Sequence, residues 1–166
     1  MAPMTRLIRL AAVALLGAAN ALCPPALAAQ SLLILVRHAE RPPEVEGDPD
    51  LTPAGKARAQ KLATMLAESG IRAVFTSEFK RTQETARPLA TKLGIPPEVV
   101  PAADTSALVD KLEGHPTETV LVVGHADTVA EIIKARGGPT VTIADDQFDD
   151  IFVFVPATGA LTRIKY

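Results

Sequence analysis

The 166-residue chain has no tryptophan, one tyrosine, one cysteine and three histidines. With aromatic residues at 4% and a net charge of −2, it has neither the basic stripe nor the stacking platform that nucleic-acid binding needs. Cys23 falls within the first 28 residues, so a domain starting at residue 29 has no disulfide and no thiolate nucleophile. The acidic stretch Asp145–Asp150 lacks the Asp-x-Asp-x-Asp-Gly order of a calcium loop and reads as a solvated loop. With 22% charged residues and 48% hydrophobic ones, the chain is expected to form one folded domain with a real core.

Residues 1–28 differ from the rest. Arg6 and Arg9 precede an apolar segment, Leu10–Leu22, and Ala26-Leu-Ala28 supplies small residues for cleavage, so a secretory signal peptide is expected. The apolar segment is shorter than the ~20 residues that span a bilayer, so the mature chain is expected to have no membrane span. A lipid anchor on Cys23 is the alternative, disfavoured by the large Leu22 before it. Cleavage near Ala28 would make the protein periplasmic or secreted. Without Arg6 and Arg9 the 17 basic residues fall to 15 against 19 acidic ones, a net of −4.

From residue 29 onward, apolar runs alternate with helical periodicity. Leu32–Val36 reads as a strand buried on both faces, followed by a Pro- and acid-rich loop, Arg41–Asp50. Thr52 caps a helix that opens at Pro53 and buries Ala59, Leu62, Ala63 and Leu66, ending at Gly70. Ile71–Phe75 is a second strand. Thr76-Ser-Glu78 is expected to cap a helix with Ala86, Leu89, Ala90 and Leu93 inward, which Pro88 should kink or split. A short strand, Glu98–Pro101, leads to Asp104 as cap of a helix carrying Leu108 and Leu112. Thr119–Val123 is a further strand, followed by a helix with Val129, Ile132 and Ile133. Ile151–Val155 and Leu161–Tyr166 form a closing hairpin across Pro156–Gly159. Repeated βα units predict an α/β domain, a mostly parallel central sheet with helices on both faces.

In such a sheet the parallel strands end on one rim. Arg37 and His38 follow the first strand, Ser77 and Arg81 the second, Gly124 and His125 the fourth. Guanidinium forks, imidazoles and helix N-termini together suit a phosphoryl group. Glu40 either orients a cation or is solvated, and His115 reads as a loop residue.

Here the chain resembles the histidine phosphatase superfamily, with its phosphoglycerate mutase-like fold, in the small phosphatase branch. Leu35-Val-Arg-His-Ala-Glu40 is similar to the Arg-His-Gly motif, with Ala39 in place of glycine. Ser77-Glu-Phe-Lys-Arg81-Thr-Gln-Glu-Thr85-Ala86 is similar to the Ser-x-x-x-Arg-[AT]-x-x-Thr-Ala signature, and Val123-Gly-His125 to the second-histidine motif. The resemblance spans residues 32–136 and implies a three-layer α/β/α domain over 29–166. It implies a phosphatase acting on phosphomonoesters or phosphohistidine, on a small substrate or a phosphoprotein, with no metal or other cofactor. His38 would be the nucleophile, Arg37, Arg81 and a protonated His125 would stabilise charge, and Ser77 would touch the phosphate. For the leaving-group acid, Asp104 and Asp127 compete; the one-residue offset of Asp127 from the family position favours Asp104. A binding module on the same fold is the alternative. Mutase activity is disfavoured because the step from Arg37 to Arg81 leaves little room for substrate-capping insertions.

Overall fold

In a computed structural model, which describes residues 30–166, the first apolar run forms β1 (Leu32–Arg37). The expected leader, Cys23 and the cleavage position at Ala28 lie outside the described residues. After β1 come α1 (Pro53–Leu66), β2 (Ile71–Thr76), α2 (Lys80–Leu93), β3 (Glu98–Val99), α3 (Thr105–Glu113), β4 (Thr119–Gly124), α4 (Ala126–Ala135), β5 (Asp150–Val155) and β6 (Ala160–Lys165).

The lack of alternation in β1 and β4 has a direct cause: helices cover both faces of the sheet. Leu33 and Leu35 of β1 pack with Val120 and Val122 of β4, Leu108 and Leu112 of α3, and Val129, Ile132 and Ile133 of α4. Their neighbours Ile34, Val36, Leu121 and Val123 point the other way, against Leu62 and Leu66 of α1 and Ala86 and Leu89 of α2. Two cores on opposite faces make three layers, α/β/α, as expected. The sheet has six strands in the order β3-β2-β4-β1-β5-β6. β3, β2, β4 and β1 are parallel, while β5 and β6 run antiparallel as the closing hairpin. The rims of β2, β4 and β1 are therefore adjacent, with α2 and α4 opening from them on opposite faces.

Three local expectations need correction. First, α2 is capped from across the chain rather than by Thr76-Ser-Glu78. Its N-cap residue is Phe79, without a side-chain cap, and Asp48 of the 41–50 loop accepts from the Lys80 N–H at 2.9 and 3.0 Å. Second, α2 runs unsplit through Pro88. An interior proline costs about 3 kcal/mol; burial of Thr85, Ala86, Leu89 and Ala90 along one face offsets that loss. Third, the strand expected over 98–101 is only Glu98–Val99. The caps at Thr52 and Asp104 are as expected, accepting from Gly55 N and Ala107 N.

The loop after β1 is held against α1. Glu40 O accepts from Thr52 N at 2.9 Å, and a Cβ on Gly55 would collide with that same carbonyl. Glycine is needed here for room rather than for an unusual φ. We expect Gly55→Ala to destabilise the protein by about 1–3 kcal/mol through overpacking and to impair the site beyond β1, read by denaturant midpoint and turnover. A wild-type midpoint would show that the loop yields freely.

Candidate active site

Register brings the two rim histidines together. Arg37 of β1 pairs with Gly124 of β4, and His38 N donates to Gly124 O at 2.9 Å, so the residues after each strand leave side by side. The rings of His38 and His125 lie edge to face with centroids 5.4 Å apart. His38 is buried at 4% exposure, and its Nδ1 donates to Ala39 O at 2.8 Å. The Ala39 N–H is held in turn by Thr85 Oγ1 of α2 at 2.9 Å.

The arginines are oriented from different elements. Arg37 Nη1 donates to the carbonyls of Ala144 and Asp145 at 2.8 and 2.9 Å, and its guanidinium lies 4.4 Å over the Phe148 ring. Arg81 sits in the first turn of α2, over the Phe79 ring at 4.0 Å and 3.7 Å from Asp48 Oδ1. The Nε of each is buried without a partner. Arg37, His38, Arg81 and His125 line one open cavity of about 350 Å³ with Arg41, Asp127 and Asp145.

Electrostatics follow from this crowding. Burial, then the positive charges of Arg37, His125 and Arg81, push the His38 imidazole down to about 3, against the hydrogen bond to Ala39. His38 is therefore neutral at pH 7, its Nε2 lone pair free. Burial and Arg81 also lower His125, so the expected protonated form is disfavoured in the free protein. Burial and Arg41 lower both Arg37 and Arg81, which stay charged because guanidinium starts so high.

The other candidates separate. Asp104 is exposed, does not line the cavity, and spends its carboxylate on Ala107 N and Ser106 Oγ as the α3 cap. Asp127, second in α4, is on the cavity rim and accepts from Thr128 N at 2.7 Å. Ser77 lies behind His125, its Oγ 3.0 Å from Nε2, rather than in the cavity lining. Glu40 orients a cation after all: it forms a bidentate pair with Arg58, at 2.7–2.9 Å. His115 pairs with Glu118 in the loop before β4.

Sequence reasoning missed Arg41, the two aromatic faces, Asp48 and the threonines of α2. Arg41 directly follows the first motif and was legible as a charge. Phe79 and Phe148 carried no periodic signal. The stretch 144–150 is more than a solvated loop, since its carbonyls hold Arg37, while Asp149 and Asp150 pair with Lys165 and Arg163.

Comparison with known proteins agrees with this fold. Residues 33–104 match the model of the histidine phosphatase superfamily (branch 1). Among solved structures, the fold is similar to that of the protein histidine phosphatase SixA complexed with tungstate. TM-score is 0.62 at 23% identity, over 80% of this chain and 94% of that one. It is similar to a mycobacterial glucosyl-3-phosphoglycerate phosphatase, with TM-score 0.58 at 16% identity, over 74% and 88%. A phosphoserine phosphatase from Entamoeba histolytica in complex with 3-phosphoglyceric acid gives TM-score 0.63 at 15% identity, over 82% and 96%. A curated relative, the PE-PGRS family protein PE_PGRS11 of Mycobacterium tuberculosis (strain ATCC 25618 / H37Rv), is 43% identical over 82 residues, 43% of this chain but only 14% of that protein. The family match covers the first two rim motifs but less than half of the chain, and the described residues share the fold of these phosphatases.

Proposed function

We propose that the protein is a phosphatase that hydrolyses phosphomonoesters or phosphohistidine through a covalent intermediate on His38, without metal. The observation that carries this reading is the buried, neutral His38, hydrogen-bonded at Nδ1 and set among two guanidiniums and a second imidazole. The Nε2 lone pair attacks phosphorus, the bond from phosphorus to the leaving group breaks with its electron pair, and the leaving group takes a proton. The ring becomes cationic as the N–P bond forms, and the Ala39 carbonyl stabilises that charge. Water then attacks phosphorus, the N–P bond breaks with its electron pair returning to Nε2, and neutral His38 is regenerated with free phosphate, which keeps the water's protons or releases one to solvent. Arg37 and Arg81 stabilise the equatorial oxygens, where most of the catalysis of phosphoryl transfer lies. An arriving phosphoryl anion also supplies the opposite charge that favours protonation of His125. The cavity is open, and the step from Arg37 to Arg81 leaves little room for a substrate-capping insertion, which supports hydrolysis over transfer between positions of one sugar.

For export, we propose that residues 1–28 are a cleaved signal peptide and that the protein acts in the periplasm or outside the cell, supported by the basic, apolar and small-residue order of that segment. Terminal sequencing should start near Ala29; an intact Met1 on cytosolic protein would refute this.

His38→Ala should abolish turnover and the acid-labile, base-stable phosphate on the protein, while circular dichroism stays native. More than a few per cent of residual activity would remove His38 from the nucleophile role. Arg81→Lys should also be severe, since lysine keeps the charge but loses the planar fork. Of the two carboxylates, cavity placement now favours Asp127 as leaving-group acid. Asp127→Asn should slow an alkyl phosphate by ~10²-fold while sparing p-nitrophenyl phosphate. The same selective loss in Asp104→Asn would return the role to Asp104.

A pH prediction follows from His38. Its folded pKa, about 3, lies below the ordinary histidine value of 6.5, so between these values the unfolded chain binds a proton that the native state does not. That stability is present above pH 6.5 and is lost as pH falls. Relative to His38→Gln, wild-type protein should lose stability from pH 7 to pH 4 in urea titrations; parallel curves would mean the imidazole protonates freely in the fold.

A further inference from the structure

Helix α2 buries two threonines, Thr82 and Thr85, on either side of its contact with the rim, both at 0% exposure. Each hydroxyl has one proton to give, and the neighbours decide where it goes. Thr85 Oγ1 lies 2.7 Å from Arg81 O, which can only accept, so its proton is committed there and its lone pair receives the Ala39 N–H. The Ala39 peptide is thus clamped, and its carbonyl, again only an acceptor, requires His38 to carry hydrogen on Nδ1. Thr82 Oγ1 lies 2.8 Å from Phe79 O and 3.1 Å from Ser77 O, both acceptors. With its proton given to one of these carbonyls, it accepts from Ser77 Oγ, at 2.8 Å, in a contact whose geometry lets either hydroxyl donate. The Ser77 proton being spent, its 3.0 Å contact with His125 Nε2 must be donated by the histidine.

We infer that Thr82 and Thr85 are positioning residues that set the two imidazoles in opposite tautomers, Thr85 through the Ala39 peptide to His38 and Thr82 through Ser77 to His125. His38 then carries Nδ1–H and keeps its Nε2 lone pair, while His125 carries Nε2–H. His125 Nδ1 has no hydrogen-bond partner among the described residues and is the nitrogen left to take up a proton. Ser77, by the same count, has no proton for a phosphate oxygen. The catalytic consequence rests on the phosphatase reading; the tautomers do not.

The experiment reads the tautomers directly, by two-bond proton–nitrogen correlation of histidine rings in ¹⁵N-labelled full-length protein without substrate, beside kcat. Wild-type protein at pH 8 should show His38 as Nδ1–H and His125 as Nε2–H. Thr82→Val frees the Ser77 proton and should move His125 toward Nδ1–H while leaving His38 unchanged. Thr85→Val should instead mix the His38 tautomers. Each should lower kcat roughly 10- to 100-fold, the scale of small misplacements in an active site. Thr82→Ser and Thr85→Ser keep the hydroxyls and should restore both ring signals and rate. Unchanged ring signals in both valine variants would overturn the inference, as would serine variants as altered as the valine ones, since the lost methyl would then be the cause. Because the ring signals are recorded without substrate, a protein lacking phosphatase activity would sink the functional reading and leave the tautomer test standing.

Discussion

Positive charge gathered into a partly buried space is the constraint on which this structure turns. Arg37, Arg41 and Arg81 line one cavity with two imidazoles, against only Asp127 and Asp145 among its lining residues. Like charges at this spacing repel strongly once water is thinned out. The imidazoles answer by staying neutral, and burial pushes both the same way. The guanidiniums cannot follow, so the fold spends backbone carbonyls and aromatic faces on them: Ala144, Asp145 and Phe148 for Arg37, and Phe79 for Arg81. Even so, the Nε of each arginine stays buried without a partner.

Helix α2 connects this charge balance to the rest of the molecule. Asp48 from the 41–50 loop caps its first turn and faces Arg81, while Glu84 Oε2 accepts from Leu51 N one turn further on. The loop after His38 is therefore fastened to the helix that carries Arg81. Glu40 and Arg58 fasten the same loop to α1 by a half-buried ion pair with bidentate geometry. Such a pair contributes direction more than net stability, because desolvation consumes much of its Coulombic gain. Its value here is geometric, since Glu40 follows the Ala39 peptide that holds His38.

Much of the scaffold was legible beforehand because its signals are periodic. Uninterrupted apolar runs at β1 and β4 demanded cover on both faces, and strand–helix alternation demanded a parallel sheet, so Arg37, His38, Arg81 and His125 had to share a rim. Contacts that depend on distant chain were not legible. Asp48 caps α2 from 32 positions away, so the nearer Ser77 looked like the cap. Pro88 looked like a possible break because local propensity omits the buried face that keeps α2 unsplit through it. Ser77 and the threonines were visible in the motif as residue types, but the direction of a hydroxyl proton depends on which carbonyls surround it, and no spacing encodes that.

The placement of the carboxylates completes the argument. A carboxylate beside His38 would raise its pKa toward neutrality, and one against Arg37 would occupy its guanidinium fork. The fold keeps negative charge at the periphery of the cavity instead. Asp127 and Asp145 stand on the rim and Asp48 behind Arg81, while Asp149, Asp150 and Asp104 are spent on Lys165, Arg163 and the α3 cap. Among the described residues the carboxylates lining the cavity are Asp127 and Asp145, so a carboxyl proton donor on the cavity wall would be one of these two.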